Sequence, residues 1–168
     1  MGVTTLTFEI MRISSSLIRK QAIEEIQKCN EFTAQFGLTL SYADAIELVE
    51  TRDFALKSNG RIEFGGGAIN KIIKEFSDSS YIMKYNYVEI LHELIEIFYF
   101  YKNETLDLMS DDDLIKFMKD NFDSKCQGSL ELLSGRELAN MARNLRYGYA
   151  LDYSEDPLYD EEDEYDEY

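Results

Sequence analysis

Apolar residues recur at three- and four-residue intervals along most of this chain, and glycine, serine and aspartate punctuate them into about six amphipathic segments. The first clear helical stripe is Ile18, Ala22, Ile26, Cys29, Phe32 or Thr33, and Phe36, with Gly37 placed for a left-handed cap. Ser41 opens the second helix with Asp44 three residues on, a variant capping box; Ala45, Leu48, Val49, Ala55 and Leu56 supply its apolar face, and Gly60 ends it. Residues 61–64 are too few for a helix and read as an extended connector into Gly65, Gly66 and Gly67. A third helix carries Ile69, Ile72, Ile73 and Phe76, and the polar run 77–80 breaks it. Ser110 with Asp111, Asp112 and Asp113 starts the fifth, where acids complement the helix dipole and Leu114, Phe117, Met118 and Phe122 face the core. Ser134 and Glu137 form a capping box for the sixth, with Leu138, Met141, Ala142 and Leu145 inside and Gly148 at its end.

The fourth segment organises the rest. Residues 85–101 are apolar around most of the helix circumference, so this helix must be nearly surrounded by others. The expected fold is therefore all-α: a single-domain bundle of about six helices around a central apolar helix. Residues 3–10 alternate Val3, Leu6, Phe8 and Ile10 with polar residues, which suggests a short strand or an extended arm over 1–13 ahead of a helical domain over 14–148. The last twenty residues lose the apolar periodicity. They hold ten Asp or Glu and no Lys or Arg, with tyrosines interspersed, and read as a disordered acidic tail over 149–168.

Charge sharpens this division. Of the formal −16, the tail carries −10, leaving −6 on the body. Such acidity argues against direct contact with nucleic acid or an anionic membrane surface. No uncharged stretch approaches the ~20 apolar residues that span a bilayer. Cys29 and Cys126 stand far apart in no ligand pattern, and the start lacks an export-type segment, so reduced thiols and a cytoplasmic location are expected.

The polar strip of the central helix holds Glu89, His92, Glu93 and Glu96, with the sole histidine of the chain. Glu89-x-x-His92 has the spacing by which one helical face grips a metal, and His92-Glu93-x-x-Glu96 resembles a zinc-peptidase helix with glutamate in place of the second histidine. The ordinary reading is the exposed edge of an amphipathic helix. The glycine run before a helix carrying Lys71 outlines a loose phosphate cradle without the GxxxxGK[ST] spacing, and a tight turn explains it equally. Asp107 and Asp111–Asp113 lack the EF-hand order. Cys126 beside Lys125 is a weak nucleophile candidate. Arg136, Arg143 and Arg146 fall near one face of the last helix and form a candidate anion-binding surface, for which the acidic tail is the nearest polyanion.

Several phrases are similar to a family of small bacterial proteins of unknown function. They include Asn30-Glu31-Phe32-Thr33-Ala34, Gly60-Arg61-Ile62-Glu63-Phe64-Gly65, Asn86-Tyr87-Val88-Glu89 and Gln127-Gly128-Ser129-Leu130-Glu131, within about residues 30–146. The resemblance implies a bacterial, intracellular helical protein and carries no catalytic, ligand or cofactor residue with it. The function expected is a non-enzymatic interaction or adaptor protein that uses no cofactor. It would take a protein partner, basic where the tail makes the contact. A homo-oligomer formed through the arm stays open. The alternative is a metal-binding protein or enzyme built on Glu89, His92, Glu93 and Glu96.

Overall fold

A computed structural model describes residues 3–148; the expected acidic tail, 149–168, lies outside the described residues. The elements are α1 (Val3–Lys28), α2 (Asn30–Thr33), a 3₁₀ turn (Ala34–Phe36), α3 (Tyr42–Ser58), α4 (Gly67–Phe76), α5 (Tyr87–Glu104) and α6 (Asp111–Asp123). The last helix is continuous but changes its winding: α7 (Leu130–Leu132), a π-helical stretch (Leu133–Leu138), then α8 (Ala139–Arg146). No strand occurs among the described residues, and the all-α class is as expected.

Helix α5 is central. Its buried side is Tyr87, Leu91, Leu94, Ile95, Phe98, Tyr99 and Tyr101. It packs along α3 and also against α4 and α6; α1 lies on α3 and α4, and α4 on α6. Phe76 meets Phe122 edge-on with ring centroids 5.5 Å apart, joining α4 to α6 with the geometry aromatic quadrupoles favour. Ser41 and Ser110 cap α3 and α6 as expected, and the reciprocal box of Ser41 and Asp44 is complete. Gly37 takes φ 74°, the left-handed conformation that ends the 3₁₀ turn. Asn30 then exchanges two hydrogen bonds with the backbone of Leu40, at 2.8 and 2.9 Å, which turns Leu38 and Leu40 into the core.

Three expectations change. Residues 3–13 form no strand or extended arm; they are the opening turns of α1, and Ser14–Ser16 lie inside that helix. The alternation there also fits helical spacing. With no glycine or proline between Val3 and Lys28, extending a helix already nucleated by its buried half costs less than starting a new element. At 32–33 the core takes Thr33, whose hydroxyl donates to the Leu38 carbonyl at 2.7 Å, while Phe32 and Phe36 pair with each other outside. The capping box at Ser134 does not form. Ser129 caps the helix instead, accepting from the Leu132 N–H at 3.2 Å. Ser134 lies within the π-helical stretch, where its carbonyl accepts the Tyr101 hydroxyl. The wider winding lets Leu133 and Leu138, five residues apart, both reach the core; an α-helix would set them about 140° apart.

Candidate functional site

The densest buried polar network surrounds the glycine run between α3 and α4. Arg52 occupies a core-facing position of α3, between Val49 and Leu56, and its side chain is 1 % exposed. One guanidinium nitrogen donates to the Gly65 carbonyl; Nε reaches Asp53 Oδ1 at 3.3 Å and Nη1 stands 4.0 Å from Glu63 Oε1. Glu63 is held from two further sides. The Tyr99 hydroxyl donates to its Oε2 at 2.5 Å, and the Ala68 N–H in the first turn of α4 donates to its Oε1 at 2.7 Å. From α1, Glu25 accepts the Gly66 N–H.

Amides that outlined a phosphate cradle in the sequence therefore hold two carboxylates of the chain itself. That follows from the partial positive charge of a helix N-terminus. Gly67 is required twice over: φ is +47°, and a Cβ would strike the Glu63 carboxylate. Burial pushes the Tyr99 phenol far above its ordinary range, and the adjacent Glu63 charge and hydrogen bond act in the same direction.

Cavities lie on both sides of the connector 61–64. One, of about 350 Å³, has Leu56 and Phe98 at its base and Arg61, Glu63, Lys71, Tyr99 and Lys102 around it. Each of its cations already has an acid. Arg61 bonds Asp107 and Asn103, both at 2.7 Å; Lys102 bonds Asp111 at 2.7 Å; Lys71 bonds Asp112 at 2.8 Å. The Arg61 hydrogen bond holds the Asp107 carboxyl below its usual range. Such a cavity is charge-balanced and its groups are mutually oriented. The second is an open groove of about 830 Å³, floored by Ile10, Ile18, Leu56, Ile62 and Phe64 and rimmed by Arg19, Lys57 and Arg61 together with Asp53 and Glu63. Ile62 and Phe64 are exposed.

The strip on α5 is arranged otherwise. Glu89, Glu93 and Glu96 are exposed. His92 is 27 % exposed; its Nδ1 meets the Thr51 hydroxyl at 2.7 Å and its Nε2 stands 3.9 Å from Glu47 Oε2, both on α3. Among the described residues, no group of three or more His, Cys, Asp or Glu stands close enough to hold a metal. On the last helix Arg136 bonds Glu137 at 2.9 Å and Arg146 bridges to Glu104 at 3.1 Å, while Arg143 is exposed. Arg136 belongs to the π-helical stretch and also donates to the Lys125 carbonyl at 3.2 Å. Cys29 and Cys126 are both buried and unpaired. Burial raises the Cys126 thiol, and Glu137 adds to it against Lys125 and Arg136, which makes it a poor nucleophile.

Neither Arg52 nor Glu63 was a site residue in the sequence patterns above, though two signals bear on them. Arg52 continues the stripe Ala45, Leu48, Val49, Leu56 at a position where an apolar residue belongs, and Glu63 interrupts the apolar connector just before the glycines.

These residues lie within a recognisable family. The chain belongs to a family of unknown function, DUF6323, whose model matches residues 25–151. The match covers the resemblance expected from the sequence and includes Glu25, Arg52, Glu63 and Tyr99, while the first 24 residues fall outside it. No curated protein and no solved structure matches the chain. Among the described residues, no helix is long and apolar enough to cross a membrane.

Proposed function

We propose that this chain is a non-enzymatic interaction protein, an adaptor whose helical body presents the groove beside the 61–64 connector to a protein partner. The groove carries the reading. Five apolar side chains form its floor, three of them exposed, and Lys57 stands on the rim beside the Arg19–Asp53 and Arg61–Asp107 pairs. This surface fits an amphipathic segment that presses leucine-like residues onto the floor and sets a carboxylate against Lys57. The Arg52 network behind it supports the role, because it fixes the connector that displays Ile62 and Phe64 at the Gly65 carbonyl and at Glu63. Residues 149–168, carrying −10, offer basic partners a separate contact.

The test is a fluorescence-anisotropy titration of the full chain with a labelled peptide of leucines and glutamates at helical spacing. Binding is expected to weaken at least tenfold when Ile62→Ser and Phe64→Ser are combined, with the melting temperature held within a few degrees. Equal affinity for the double variant, or equal groove-dependent binding of a lysine-rich peptide of the same pattern, overturns the assignment.

A further inference from the structure

We infer that the first half of α1 is a self-association helix whose partner is a second copy of this chain. Apolar residues recur at Val3, Leu6, Ile10, Ile13 and Leu17, alternating steps of four and three after the first, the spacing with which one helix offers a continuous seam to another. Leu6, Ile10 and Leu17 are 61 %, 56 % and 61 % exposed. At about 100° per residue they lie within about 40° of one another. Ala22, Ile26 and Cys29, through which the same helix enters the core, project from its opposite side. Helix α1 thus bears two apolar stripes: one met by α3 and α4, the other uncovered among the described residues.

Composition favours a copy of this chain over an unrelated partner. Thr7, Ser14, Ser16 and Glu9 flank the seam, so it carries little of the charge pattern by which unlike helices select each other. The chain bears −16, yet residues 1–20 hold Arg12, Arg19 and Lys20 against Glu9 alone. This is the region where two acidic copies approach with the least repulsion. A seam over residues 3–17 is about 22 Å long. That is short of the roughly 800 Å² per partner of a standard interface, so dissociation in the micromolar range is expected.

The seam shares Ile10 with the groove floor, but Leu6 and Leu17 belong to the seam alone and Ile62 and Phe64 to the groove alone, so their variants test the two surfaces separately. Sedimentation equilibrium of the full chain across the micromolar range tests it. The weight-average mass should rise from 19.6 kDa toward twice that value, and Leu6→Asp with Leu17→Asp should hold it at the monomer. As a check that does not disturb the seam, Ser16→Cys should join two chains through a short bismaleimide, and Glu75→Cys on α4 should not. A monomer at every concentration, dimerisation unchanged by the aspartates, or equal joining through Glu75→Cys overturns it.

Discussion

Two polar clusters flank helix α5, and they invert their prominence in the sequence. The strip of Glu89, His92, Glu93 and Glu96 gathers the only histidine and three acids on one helical face, yet its glutamates are exposed, and His92 meets Thr51 at 2.7 Å with Glu47 at 3.9 Å. Arg52, Glu63 and Tyr99 come from three separate segments and match no motif, yet they join one network around the glycine run: Arg52 donates to the Gly65 carbonyl, and Glu63 accepts from the Ala68 N–H and the Tyr99 hydroxyl. Spacing along one helix reports which side chains are neighbours on its surface. Whether those neighbours face water or protein is decided by the elements packed against them.

Energetics should separate the clusters most at Arg52. Arg52→Met removes the buried donor to the Gly65 carbonyl and leaves the part-buried Glu63 without its cation. Breaking one side of such a network costs about 3–5 kcal/mol. Urea denaturation of Arg52→Met should show a loss of that size; a change under about 1 kcal/mol would place the network on the surface energetically and dissolve the contrast.

Tyr99→Phe should cost less, about 1–2 kcal/mol, by withdrawing one hydrogen bond from Glu63. It also carries a pH signature. Tyr99 is raised in the folded state by burial first and by Glu63 second, and burial pushes Tyr87 up to about 12. Phenols raised on folding favour the native state fully below the unfolded value of about 10, and that contribution is lost as pH rises through the folded values. Wild-type stability should therefore fall above about pH 10, and Tyr99→Phe should lose less of it over the same window. Equal alkaline slopes for the two proteins would remove Tyr99 from the account.

His92→Ala should change least, by less than about 1 kcal/mol, since it removes one partly exposed side-chain hydrogen bond. A loss comparable with that of Arg52→Met would show the strip to be structural, and the comparison would fail from the other side.

The sequence alone determined the all-α class, the order of the helices from the second onward, the central place of 85–101 and the caps at Gly37, Ser41 and Ser110. These follow from local periodicity and from backbone groups that a residue three positions away can satisfy. Tertiary structure decided what local chemistry left open. At 3–13 both a strand and a helix fit the alternation, and continuity with the buried half of α1 selected helix. At 134 a valid capping box lost to Ser129, because the π-helical winding brings Leu133 and Leu138 together into the core. The Arg52 network needed α1, α3, α4 and α5 assembled before Glu25, Arg52, Glu63 and Tyr99 could meet. Hydrogen bonds between residues more than thirty positions apart leave no periodic trace, because burial and partner are properties of the packed chain and not of any stretch within it.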